Sequence, residues 1–259
     1  ASSSTYLMND IVDGEKDKIH PIKFNRPIAS GLVKEIEAGI LAVILATSSL
    51  LFSYMFLNKF FLLSILAYLL IQVVYSLKLR NIIILDALTV ASGFVIRVFS
   101  GTFAASVPIS SWLILSVIGL SLLLAFGKRR SERTILEAKK IPLETRETLK
   151  HYPDNLLDSM ISMFSTFAVV TYSLFAFQAS QVNTSRIISE NLPATLSNPK
   201  WLLLTVPIVI YGIARYLYVI YEKKEGESPE RALLTDQPLL NTIAIWVTCV
   251  IIIVYGLQG

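Results

Sequence analysis

The 259-residue sequence has one cysteine, Cys249, and two histidines, His20 and His151. A lone cysteine forms no intrachain disulfide and no thiolate metal cage, and Cys249 lies in an apolar run, where it reads as packing. The histidines sit in separate polar stretches with no partner at ligand spacing, which leaves a zinc site or a Ser/His/Asp triad unsupported. Charge is scarce too: 16% of residues are charged against 54% hydrophobic, and mean hydropathy is +0.61. That balance lies outside soluble usage and makes the bilayer the solvent. Short alternating strands are lacking, which excludes a membrane β-barrel. Ala1 to Met8 carry no basic n-region and do not read as a signal peptide. We expect them to be the tail of a further helix, with more chain upstream.

What is present is seven apolar runs, at about 39–57, 60–77, 82–105, 111–127, 159–179, 200–221 and 239–257. Crossing the roughly 30 Å hydrocarbon core takes about 20 helical residues, and each run comes close to that. Backbone groups in lipid must pair within their own segment, so the runs are helices. The expected fold is an all-α polytopic membrane bundle: one intramembrane domain over 1–259, with seven complete spans and a stub.

Lys and Arg orient it. Segment 9–38 holds five (Lys16, Lys18, Lys23, Arg26, Lys34), 78–81 two, 128–158 eight and 222–238 three, while the intervening loops hold only Lys59, Arg186 and Lys200. Cytoplasmic loops collect basic residues, so these four segments are expected on the cytoplasmic side. The sequence pI of about 9.1 then follows from topology, without nucleic acid. The Asp-rich and the Lys/Arg-rich segments fall on the same face of the membrane, where a site can be built.

Asn9, Asp13 and Asp17 are four residues apart and Asp10 flanks them. On a continuous helix they form one stripe, each step about 6 Å along the axis. Like charges so stacked repel unless a cation neutralises them, and Mg²⁺ is commonly held by one or two carboxylates with substrate phosphates. The alternative is an acidic helix end. Lys23 and Arg26, in the Pro- and Gly-punctuated loop after His20, can clamp phosphate oxygens; an ordinary basic loop would look similar. The third span carries Asp86 and Arg97, costly in a membrane and about 16 Å apart on one face, too far to pair. Gly93 and Gly101 flank Arg97 on that face and permit close approach of a helix or ligand. The fourth span ends in Lys128-Arg129-Arg130-Ser131-Glu132-Arg133, where Lys128/Glu132 and Arg129/Arg133 are expected to form two ridges suited to phosphate or to positive-inside charge. Arg215, near the end of the sixth span, is open to snorkelling.

These motifs resemble the UbiA superfamily of intramembrane prenyltransferases, whose first signature is an Asn-x3-Asp-x3-Asp stripe followed by an Arg-Pro loop, here Asn9, Asp13, Asp17 and Arg26-Pro27. Within it the chain is similar to decaprenyl-phosphate phosphoribosyltransferases through Tyr75 to Arg80, Leu85-Asp86, Gly93 to Gly101, Gly127 to Glu132, Leu149 to Tyr152, Arg215-Tyr216 and Leu233 to Leu239. Ordinary prenyltransferases of the superfamily carry a second Asp-rich motif where this chain has Lys128 to Glu132, which argues against a prenyl diphosphate held there. The resemblance implies a nine-helix bundle in the full protein. It also implies Mg²⁺ held by Asp13, Asp17 and Asp10 with help from Asn9, and Lys128 and Arg129 on the 5-phosphate of phosphoribosyl pyrophosphate. Tyr75, Lys78, Asp86, Arg97 and Glu132 would complete substrate binding, with a polyprenyl phosphate as acceptor. A conventional prenyltransferase with an aromatic acceptor is the runner-up. A transporter comes third, since no internal repeat is evident. The plasma membrane is the expected location.

Overall fold

In the computed structural model, residues 1–19, 23–138, 149, 151–179, 200–223 and 235–256 are described, and every regular element among them is helical. The helices are α1 (Ser2–Ile19), α2 (Glu35–Phe56), α3 (Lys59–Leu77), α4 (Leu85–Ala105), α5 (Ser111–Ala138), α6 (Asp154–Gln178), α7 (Val206–Tyr218) and α8 (Gln237–Ile251). A 3₁₀ turn (Trp201–Thr205) leads into α7, and short π segments (Val219–Lys223, Ile252–Gly256) follow α7 and α8. Apart from α1, each helix with its flanking turn is long and apolar enough to cross a membrane, which gives the seven spans expected. Large apolar side chains stand outward along them, among them Ile36, Tyr54 and Phe60, as lipid rather than water requires.

Local chemistry sets the boundaries. Asn58 caps α3 by accepting the Phe61 N–H at 2.8 Å, and Asp236 caps α8 by accepting the Leu239 N–H at 3.0 Å. Pro207 and Pro238 occupy first-turn positions, where no intrahelical N–H is needed. Several boundaries differ from expectation, α2 and α6 starting earlier than their apolar runs, at Glu35 and Asp154. The 82–105 run becomes helical only at Leu85, because Ile84 turns the chain at φ +70°. The fourth span continues to Ala138 instead of ending at 127, so Lys128 to Arg133 belong to one unbroken helix.

The chain divides into two compact units. The first holds α1 to α4 with Leu149, His151 and Tyr152. In it α1 packs on α2 and α3, and α3 on α4. A Cβ at Gly93 would lie 3.1 Å from Gln72 and 3.5 Å from Tyr68, so this glycine serves the α3–α4 contact, while Gly101 faces open space. Hydroxyls run along the same seam: Ser64 and Ser100 are 2.7 Å apart, and Asn58 bonds the carbonyl of Phe103.

The second unit holds α5 to α8. Gly119 lets α5 approach α6 so closely that a Cβ there would meet the Phe167 ring at 2.8 Å and the Ala168 backbone at 3.0 Å. One helical turn past Leu122–Leu123, the Phe126 ring stacks on Phe164 at 5.5 Å. Where α6, α7 and α8 meet, Tyr172, Ala176, Leu202 and Ile253 form a buried cluster. A relay of hydrogen bonds crosses it: Trp246 Nε1 donates to Tyr172 Oη at 2.8 Å, Tyr172 pairs with Thr205 Oγ1 at 2.6 Å, and Thr205 donates to the Leu202 carbonyl. Pairing of this kind offsets the cost of taking these polar groups out of water.

Candidate active site

The first cluster belongs to the α1–α4 unit. Helix α1 is continuous across Asn9 to Asp17, so the expected stripe exists. Its carboxylates are held by arginines. Arg26 Nη1 donates to Asp10 Oδ1 at 2.7 Å and to Asp17 Oδ2 at 2.8 Å, while Arg80 Nη1 reaches Asp13 Oδ1 at 2.5 Å. Asn9 accepts a hydrogen bond from Ser76 of α3. Arg26 is positioned by a turn in which its own N–H bonds the Lys23 carbonyl, and Gly31 closes the loop at φ +80°. His20 to Ile22, where this loop begins, lie outside the described residues.

Burial pushes the Asp10 and Asp17 carboxyls above the usual range, against the pull of Arg26 and Lys23. Asp17 is the more enclosed, at 5% exposure. A buried carboxylate, Asp17, and a half-buried one, Asp10, sharing one guanidinium nitrogen form a site with an appetite for positive charge. Among the described residues no three acidic, histidine or cysteine side chains gather closely enough to cage an ion alone. The donor set is nevertheless hard oxygen on one helix face. It suits an ion that takes one or two carboxylates and completes its shell with phosphate and water.

At the start of α4 the structure gives a role to Tyr152, which the sequence pattern named only as the end of the stretch Leu149 to Tyr152. The hydroxyl of Tyr152, a fully buried side chain, donates to Asp86 Oδ1 at 2.5 Å and accepts the Ile84 N–H at 2.7 Å. It thereby fixes both the carboxylate and a β-branched residue at positive φ, a costly conformation that persists only where the surroundings enforce it. Asp86 is 1% exposed. Tyr75 is buried and Lys78, at the end of α3, is exposed.

The second cluster belongs to the α5–α8 unit. Two open ridges were expected, but Arg129 and Glu132 are both buried and pair at 3.4 Å. Arg130 Nε bonds Asp158 Oδ1 at 2.9 Å, and Arg133 Nε meets Asp154 Oδ1 at 3.1 Å. Tyr221, in the π segment, donates to the same Asp158 oxygen at 2.9 Å. Carboxylates at the start of α6 thus hold two of the arginines, while Lys128 is half-buried. Arg215 does not snorkel. Its Nε and Nη2 each donate to a different oxygen of the buried Asp236 at 2.9 Å, and Tyr218 lies under its guanidinium. Asp236 lies within the stretch Leu233 to Leu239; Leu233 and Leu234 are outside the described residues, as is most of the basic stretch after residue 138.

Residues 1–132 match the sequence profile of the UbiA prenyltransferase family. The chain belongs to that family. It is 33% identical over 247 residues to the decaprenyl-phosphate phosphoribosyltransferase of Mycolicibacterium smegmatis, covering 95% of this chain and 74% of that protein. The protein of the same name from Mycobacterium tuberculosis is 30% identical over 250 residues, covering 96% and 76%. Among solved structures, a UbiA homologue from Archaeoglobus fulgidus bound to DMAPP and Mg²⁺ superposes with a TM-score of 0.68 at 15% identity, over 97% of this chain and 82% of that one. The UbiA fold is therefore shared at low identity, and the protein is an integral membrane transferase of this family.

Proposed function

We propose that this UbiA protein transfers the 5-phosphoribosyl group of phosphoribosyl pyrophosphate to a polyprenyl phosphate of decaprenyl type, releasing pyrophosphate, at the cytoplasmic face of the plasma membrane. The observation that carries the choice of donor is the basic segment Lys128 to Arg133, within α5 at the place where a prenyl diphosphate enzyme needs aspartates. The relatives above, matched across nearly the whole chain, bear the corresponding name.

Asp13, Asp17 and Asp10, with Asn9, would hold Mg²⁺. When bound, the ion neutralises charge developing on the departing pyrophosphate. Arg26 and Arg80, already at the carboxylates, move their donors to pyrophosphate oxygens, with Lys23 and Lys78 adding positive charge. The bond from ribose C1 to pyrophosphate breaks and its electron pair leaves with the pyrophosphate. An oxygen of the lipid phosphate forms the new bond to C1. That oxygen is anionic beforehand, so the chain needs no strong general base. Lys128 and Arg129, the latter oriented by Glu132, take the 5-phosphate. Tyr75 and Asp86 shape the ribose surroundings.

Competition tests the donor. Mg²⁺-dependent binding of labelled phosphoribosyl pyrophosphate, displaced by pyrophosphate and not by geranyl diphosphate, is the expected result. Displacement by geranyl diphosphate at equal or lower concentration would transfer the proposal to a prenyl donor.

A further inference from the structure

Arg97 sits twelve residues into α4, about 18 Å along the helix from Leu85 and near the middle of the span. Each of the other arginines in described spans, Arg129, Arg130, Arg133 and Arg215, is paired with a carboxylate. Among the described residues Arg97 has none. Its Nη2 donates to Tyr68 Oη at 2.8 Å, its guanidinium lies 5.3 Å from the Tyr68 and Phe94 ring centres, and its Nε is buried without a hydrogen-bond partner. Phenol and rings orient a guanidinium but leave its charge uncancelled, and an uncompensated charge at this depth is costly. The neighbourhood is hydroxyl-rich: Tyr68 also meets Thr5 Oγ1 at 3.3 Å, and the adjacent Ser4 Oγ is likewise buried and unpartnered. The side chain as a whole is only half-buried.

We infer that Arg97, with the Tyr68 hydroxyl, binds the phosphate monoester of the lipid acceptor. This rests on the phosphoribosyl-transfer reading and adds where the acceptor's headgroup lies. Depth selects that group over the donor. Thr5, tied to Arg97 through Tyr68, is eight residues before Asp13 on α1, about 12 Å along its axis. That separation leaves room for a pyrophosphate at Asp13 and a second phosphate at Arg97 end to end, with a reacting carbon between them. A phosphate entering from the lipid side also supplies the negative charge that the protein withholds. Arg97 is thereby a specificity device: it admits polyprenyl phosphate and gives no reward to neutral polyprenol.

The test uses the purified full chain in nanodiscs and compares wild type, Arg97→Gln, Arg97→Lys and Tyr68→Phe. Binding of a polyprenyl monophosphate and of the matching polyprenol is measured, with Mg²⁺-dependent pyrophosphate binding as the control on the carboxylate stripe. Wild type should prefer the phosphate lipid by tenfold or more. Arg97→Gln should lose that preference with pyrophosphate binding unchanged, and Arg97→Lys should recover part of it. An Arg97→Gln protein that keeps the preference overturns the inference, as does one that loses lipid and pyrophosphate binding together, which would mark Arg97 as structural. Because the assay reads binding, it separates the two proposals: wild type that shows the Arg97-dependent preference but transfers no phosphoribose sinks the reaction and leaves this site.

Discussion

At the scale of single residues, the carboxylates of α1 and the tyrosine beneath Asp86 carry the most testable physics. Burial raises the Asp10 and Asp17 pKa values, so these groups hold protons to a higher pH than ordinary carboxylates. Mg²⁺ requires the ionised form, so its affinity should fall on acidification while pH is still above the ordinary carboxylate range. Mg²⁺ titrations between about pH 4.5 and 7.5 check this; affinity that stays flat to the lower limit contradicts it. By the same sign, the metal-free protein gains stability from these two groups at low pH and loses it as pH rises through their raised values. Tyr152→Phe removes the donor to Asp86 and the acceptor of the Ile84 N–H with little change in volume. A hydrogen bond to a charged group contributes about 1.5–3 kcal/mol, so thermal denaturation should show a clear drop in Tm. These were the details least legible beforehand. A tyrosine in a loop carries no periodic signal, and positive φ at an isoleucine is written in no propensity.

At the scale of elements, helix boundaries and close approaches decide more than composition. Asp236 both caps α8 and grips Arg215 through two oxygens. Asp236→Asn keeps an N-cap acceptor and loses the charge pair, while Asp236→Ala loses both. The Tm should therefore fall in the order wild type, Asn, Ala, the last step reflecting a cap of about 1 kcal/mol. Gly119→Val should be worse than Gly119→Ala, since any Cβ there meets the Phe167 ring and the Ala168 backbone; proteolysis of α5–α6 in detergent checks the pairing. The apolar runs announced these helices because the bilayer imposes length and hydrophobicity together. They misplaced the ends. Polar residues such as Lys128 to Arg133 continue a helix whenever partners exist for them, here Asp154, Asp158 and Glu132. Arg129, expected on an open ridge, lies buried beside Glu132, its neighbour one turn on in the same helix.

At the scale of the whole molecule, the sequence motifs fall into two units, each with its own charge pattern: acidic residues gripped by arginines in one, arginines gripped by acidic residues in the other. The stripe at Asn9, Asp13 and Asp17 was readable because helical spacing of like charge is informative without tertiary knowledge. The resident guanidiniums on that stripe were not, since Arg80 is 67 residues from Asp13. On our proposal, this protein moves phosphoribose onto a lipid phosphate. The most direct test incubates the protein in detergent with Mg²⁺, a polyprenyl phosphate and phosphoribosyl pyrophosphate labelled in the ribose, beside Asp13→Ala and Lys128→Ala, and follows label into the organic phase. Lipid-linked label in wild type, reduced at least a hundredfold in Asp13→Ala and at least tenfold in Lys128→Ala (~3 and ~1.4 kcal/mol of transition-state stabilisation), is the predicted result. Folded wild-type protein that leaves all label in water, while joining a prenyl diphosphate to an aromatic acceptor, contradicts it.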